Sequence, residues 1–116
     1  MPLLVLHPSA NVPLPADPAP LLGTLSRALA ELTGKSEDWV MTRLEPARPM
    51  TFGGSDDPCC YVECKSIGLD ATLAARSSAE LTPRIAAALE VPLERVYVGF
   101  DGPAGALWGH GSETFG

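Results

Sequence analysis

The sequence predicts an α+β fold in which two βαβ units lie side by side, forming a four-stranded mixed sheet with two helices on one face. Three observations predict it. Short apolar runs and amphipathic segments alternate in the order strand–helix–strand twice over along 116 residues. The two halves resemble each other at an offset of 57 (84 less 27): Arg27/Arg84, Ala30/Ala87, Leu32/Leu89, Glu37/Glu94 and Pro46/Pro103 match without a gap, as in an internal repeat. The length suits one domain spanning 1–116, and 46% apolar residues supply a core.

The elements follow in chain order. Leu3–Leu6 is an apolar run of the kind a strand shows when both its faces are covered. A proline-rich loop leads to Asp17-Pro18, a helix start with proline in the first turn. Leu21, Leu25, Leu29 and Leu32 recur at helical spacing, and Gly34 ends that helix. Trp39–Leu44 reads as the second strand, closed by Pro46 and Pro49. Residues 46–58, dense in Pro, Gly, Ser and Asp, form a loop, and Cys59–Ser66 is the third strand. Asp70 caps a second helix with Leu73, Leu81, Ile85 and Leu89 on its apolar face; Pro83 is expected to kink it or to mark its start. Val96–Phe100 is the fourth strand, and the Gly-rich tail carries two apolar anchors, Trp108 and Phe115. With both helices on one face, the other sheet face is left uncovered. Its side chains read as apolar, so it is expected to be buried against further copies of the chain.

Composition excludes several functions. The formal charge is −6, with 8 basic against 14 acidic residues and no basic run, which argues against a nucleic-acid partner. No stretch approaches the ~18 apolar residues of a membrane span. Residues 1–20 hold no Lys or Arg and carry prolines at 2, 8, 13, 15, 18 and 20, unlike a secretory signal. A cytoplasmic protein is expected, with leaderless secretion left open, and the mature chain is expected to begin at Pro2, since a small penultimate residue permits removal of Met1. Cys59, Cys60 and Cys64 are odd in number and include no CxxC, so they read as reduced, strand-borne hydrophobes rather than metal ligands. Neither metal nor organic cofactor is signalled. A nucleotide loop is unlike Phe52-Gly53-Gly54-Ser55 in spacing, and no GxSxG elbow is present.

An N-terminal proline is a secondary amine. At the head of a buried strand its protonated form is disfavoured, and a cation such as Lys35 depresses its pKa further. The neutral amine is then a base able to remove a proton from carbon beside a carbonyl. Taken singly, Pro2, Lys35 after a helix end and Tyr97 in a strand are ordinary structural residues.

Together they resemble the macrophage migration inhibitory factor family of the tautomerase superfamily. The resemblance covers essentially the whole chain: Met1-Pro2, Leu32-Thr33-Gly34-Lys35, Pro49-Met50-Thr51-Phe52-Gly53-Gly54-Ser55, Pro58-Cys59, Ser66-Ile67-Gly68, Arg95-Val96-Tyr97-Val98 and Thr114-Phe115. It implies a homotrimer whose sheets form a central barrel, with three active sites between subunits. By motif position it implies Pro2 as catalytic base, Lys35 as the carboxylate-binding residue, Ile67 at the pocket border, Tyr97 contributed by the neighbouring subunit and Phe115 in a hydrophobic wall. The implied substrate is a small, aromatic α-keto acid of the phenylpyruvate kind.

The chain also departs from the family. Val62 stands where the vertebrate cytokine has the second cysteine of its CxxC, and Gly99 where an Asn is frequent. Near the end, Gly109-His110-Gly111 replaces a Gly-Trp pair, with Trp108 two residues before His110. Either His110 admits a more polar substrate or Trp108 supplies the aromatic surface; the second is the expectation, because ligand pockets are mostly apolar. A competing reading is a cytokine-like, protein-binding ligand with vestigial tautomerase activity, although nothing in the sequence supports a protein receptor.

Overall fold

The computed structural model describes residues 1–116. Its main sheet has four strands, β1 (Leu3–Pro8), β2 (Met41–Leu44), β3 (Cys60–Lys65) and β4 (Val96–Asp101), in the order β2-β1-β3-β4. The β1–β2 and β3–β4 pairs are parallel, and β1 meets β3 antiparallel at the centre. Two parallel pairs, each closed by a helix, therefore make the mixed sheet that the repeated strand–helix–strand order predicts. β3 starts at residue 60, 57 positions after β1 starts at residue 3.

Helix α1 (Ala19–Thr33) opens on Asp17, whose Oδ1 accepts the Ala19 N–H (3.1 Å), and closes on Gly34 in the left-handed region at φ 67°. Helix α2 (Ala71–Leu89) starts at Asp70, whose carboxylate accepts the Leu73 N–H (2.9 Å). Its start is thus Asp70, and the helix runs unbroken through Pro83. Proline deprives the carbonyl of Ala79 of its donor, but Ala79 and Pro83 both lie on the exposed side of the helix, open to solvent.

The inward residues of the strands, Leu4, Leu6, Cys60, Val62 and Cys64, form one core with Leu25 and Leu29 of α1 and Leu81, Ile85 and Leu89 of α2. All three cysteines are buried and free. Burial in this apolar layer pushes the Cys60 and Cys64 thiols up to about 11, because the thiolate loses its hydration there.

The outward face corrects the expectation of an apolar surface. Strand alternation puts Leu3, Val5 and Met41 there, but also His7, Arg43, Tyr61, Glu63, Lys65, Tyr97 and Asp101. Only the first strand is apolar on both faces for most of its length; the other three read as alternating. On this face His7 stacks on Tyr61 (5.5 Å between centroids) and its Nε2 lies 3.6 Å from Glu63 Oε1.

A second difference concerns Trp39. Ser36 caps a short 3-10 turn, Glu37–Trp39, by accepting the Asp38 N–H (3.3 Å), so β2 begins only at Met41. The tail after β4 forms a 3-10 turn, Gly105–Leu107, and a small ribbon of β5 (Gly109–His110) and β6 (Glu113–Thr114).

Candidate functional site

Pro2 is fully buried at the head of β1, where its carbonyl accepts the Met41 N–H (3.0 Å). The chain's α-amine, on Met1, stands just outside this position. Its pKa falls from the ordinary 8.0 to about 5, first through burial and then through Lys35, which is close enough to oppose a second positive charge.

Lys35 is aimed by the cap that ends α1. Gly34 turns left-handed, and the Lys35 N–H bonds back to the Ala30 carbonyl (3.2 Å), which brings the side chain off the helix end. Its Nζ donates to the Ile67 carbonyl (3.0 Å) and to Ser66 Oγ (3.1 Å). Both acceptors are neutral, and the chain's two ion pairs, His7–Glu63 and Arg43–Glu45, lie elsewhere. The ammonium thus keeps an uncompensated charge and one N–H for an anion.

The turn that offers Ile67 is itself pinned. Ser66 N–H donates to the Asp101 carbonyl (3.0 Å) and Gly68 N–H to that of Pro103 (3.2 Å). Backbone packs so closely here that a Cβ on Gly102 would fall 2.0 Å from the Leu69 oxygen, so position 102 requires glycine.

Pro2, Lys35 and Ile67 therefore gather at one end of the sheet. Beside them the Trp39 ring meets His110 edge-on (4.9 Å) and Phe115 (5.9 Å), while His110 stacks over Phe115 (6.0 Å). The link to Pro2 runs through two residues, from Trp39 to Met41. The aromatic surface around His110 is thus supplied by Trp39, which the sequence reading spent on a strand; Trp108, expected in that role, takes part in none of the ring pairs. A capping signal, Ser36 followed by Glu37 and Asp38, was the available clue that the chain turns at Trp39.

Tyr97 is not at this end. In register it lies beside Tyr61, which lies beside His7, five residues along β1 from Pro2, or roughly 17 Å at strand rise. It is 66% exposed and packs on Phe52 (4.6 Å). Phe52 is held by Arg95, a residue the reading did not single out as functional. The Arg95 guanidinium donates to the carbonyls of Pro58 (3.0 Å), Phe52 (3.3 Å), Ser55 (3.2 Å) and Asp57 (3.0 Å) and covers the Phe52 ring at 5.2 Å. One side chain thereby folds the loop 52–58 against β4. Met50, Thr51, Phe52, Tyr61 and Tyr97 then border an open cleft of about 400 Å³.

Two groups of residues thus stand at opposite ends of one sheet, one cationic and aromatic around Pro2, the other aromatic around Tyr97. No helix is long and apolar enough to cross a membrane.

A family model described as macrophage migration inhibitory factor (MIF) matches residues 1–115. The macrophage migration inhibitory factor of Meriones unguiculatus is 31% identical over 116 residues, 99% of each chain. A macrophage migration inhibitory factor homolog from Brugia malayi is 35% identical over 108 residues, covering 91% of this chain and 93% of that one. Among solved structures, a macrophage migration inhibitory factor homologue from Prochlorococcus marinus aligns with a TM-score of 0.92 at 44% identity, over 98% of this chain and 99% of the other.

Proposed function

Because the chain belongs to the macrophage migration inhibitory factor family, we propose that it is a cofactor-independent keto–enol tautomerase with Pro2, freed by loss of Met1, as its base. The observation that carries this reading is the environment of the amino-terminal nitrogen. An amine there is lowered to about 5 by burial and by Lys35. Removal of Met1 moves the amine one residue inward, to a fully buried proline, where the same two causes act on a secondary amine.

The reaction follows from these groups. Lys35, with no carboxylate of its own, pairs with the substrate carboxylate and fixes it beside the base. The neutral Pro2 nitrogen takes a proton from the carbon next to the keto group. The C–H electron pair becomes the C=C bond, and the carbonyl π pair moves to oxygen. The same proton passes from the prolinium to that oxygen, giving the enol; the reverse order ketonises it. Trp39, His110 and Phe115 form a wall for an aromatic ring of the phenylpyruvate kind, and Ile67 borders the carboxylate end.

Tyr97, separated from Pro2 in its own chain by roughly 17 Å along the strands and by two strand spacings across them, reaches a Pro2 site only across an interface. The reading therefore includes a homotrimer in which the Tyr97 half-site of one copy completes the Pro2 half-site of the next.

The test combines mass and rate. Mass spectrometry should find Met1 removed, sedimentation should give a trimer, and Pro2→Gly should slow phenylpyruvate ketonisation by at least about tenfold, below the ~10²–10⁴ range of a positioned base. Equal rates in wild type and Pro2→Gly discard the assignment.

A further inference from the structure

The first residue of the chain shows what the Pro2 nitrogen has room to carry. In the structure that nitrogen is acylated: it bears the planar carbonyl group of Met1. Pro2 itself is fully buried, whereas Met1 is only partly so. A carbamate, the adduct of an amine with carbon dioxide, has the same N–C(=O) group, with an oxygen in the place of the Met1 Cα. It is smaller than the residue that stands there, so loss of Met1 leaves more room than the adduct needs.

Lys35 is placed to hold such a group. It acts on the Met1 amine both through a hydrogen bond and as a charge. That amine lies one bond, about 1.5 Å, beyond the Cα whose place a carbamate oxygen takes. A shift of Nζ by about that length brings the two together, well within the freedom of a lysine stem. The two acceptors Lys35 already has, the Ile67 carbonyl and Ser66 Oγ, are neutral, which leaves one N–H and a whole positive charge for an anion. The amine, for its part, is in the reactive form. Lowered from 8.0 to about 5, it is almost wholly neutral at pH 7, where an ordinary terminal amine is only about one-tenth neutral. The same two causes, burial and Lys35, act on Pro2 once Met1 is gone.

We propose that Pro2 is a modification site for carbon dioxide, its nitrogen taking up CO2 as a carbamate whose carboxylate pairs with Lys35. The nitrogen lone pair forms the N–C bond, one C=O π pair of CO2 moves to oxygen, and the single N–H proton leaves to solvent. The base then has no lone pair to accept a proton, and the carbamate occupies the ammonium that would hold the substrate carboxylate. The modified enzyme is silent, and return of the proton with loss of CO2 restores it. This control rests on the tautomerase reading; the adduct itself needs only a free Pro2 nitrogen.

Trapping and rate measurements test it together. Protein starting at Pro2 is equilibrated with isotopically labelled CO2 and bicarbonate at fixed pH and ionic strength, alkylated with trimethyloxonium to fix any carbamate as its methyl ester, and mapped by tryptic mass spectrometry. Cleavage after Arg27 isolates the terminus, because the only lysines, Lys35 and Lys65, lie beyond it. The peptide 2–27 should carry the label. Lys35→Gln should lower its extent at least about tenfold, the worth of a hydrogen bond to a charged group, and Lys35→Arg should recover most of it. Phenylpyruvate ketonisation should fall as CO2 rises at constant pH and return on degassing. An unlabelled 2–27 peptide, or equal label in wild type and Lys35→Gln, overturns this inference alone when the wild type still turns phenylpyruvate over. Label on 2–27 in protein that shows no turnover even without CO2 overturns the tautomerase reading and leaves the modification site standing.

Discussion

Replacing Lys35 by Gln tests the electrostatic half of the proposed mechanism. The amine at the head of the chain is lowered from 8.0 to about 5 by three contributions: burial is the largest, and Lys35 supplies the other two. Loss of Lys35 therefore returns part of the fall and leaves the part due to burial. The base acts when neutral, so kcat/KM should be low in acid, rise through the free-enzyme pKa and level off above it. In the wild-type protein starting at Pro2 the rise should lie well below pH 8. In Lys35→Gln it should move upward, since a repelling charge is gone, but stay below that of an exposed amine, since burial remains. The height of the plateau should fall as well, because the carboxylate partner is gone, but the position of the inflection is independent of that loss. The assay is phenylpyruvate ketonisation from pH 4 to 9 at constant ionic strength. An inflection that stays in place or moves down in Lys35→Gln refutes the role assigned to the ammonium, and a wild-type inflection near 8 refutes the burial argument.

Two further outcomes follow from the fold. Arg95→Ala removes four hydrogen bonds, leaving Phe52 and Ser55 carbonyls only their mutual backbone bonds, and uncovers Phe52; urea unfolding should register a loss of about 2–3 kcal/mol, as for bonds to a charged group, with Arg95→Lys recovering part of it, and a loss below about 0.5 kcal/mol contradicts the assignment. Cys60 and Cys64 are raised from 9.0 to about 11 by burial. The folded state thus keeps thiols that the unfolded chain ionises above pH 9, so stability is fully present below pH 9 and falls as pH rises through 11, by on the order of 2–3 kcal/mol per thiol. Chemical denaturation at pH 8 and pH 11 measures the drop, and Cys64→Ala, whatever it costs at pH 8, should shrink the difference between the two pH values.

What the sequence determined by itself is what is encoded locally. Leucine spacing gives α1, Gly34 and Asp70 mark helix ends through the φ and side-chain oxygen each supplies, and the apolar run after Pro2 gives β1. The strand–helix–strand order, met twice, sufficed to predict two parallel strand pairs in one mixed sheet. The candidate residues Pro2, Lys35, Ile67 and Tyr97 were legible as a set only through the family resemblance, since each taken alone reads as ordinary structure.

Tertiary structure alone decided which of these residues meet. Lys35 and Ile67 are 32 residues apart in the chain, and periodicity names a face without naming the neighbour across it. The same holds for Trp39, which joins His110 and Phe115 because the chain turns after Ser36 instead of extending into β2, and for Tyr61, whose ring fills the space at Gly99 only because β3 and β4 lie parallel in that register. The polar character of the open face, too, emerged from strand register, which assigns alternate residues to opposite sides. Pro83 is tolerated for a reason outside its own segment: α2 packs its other side on the sheet and leaves this one to water.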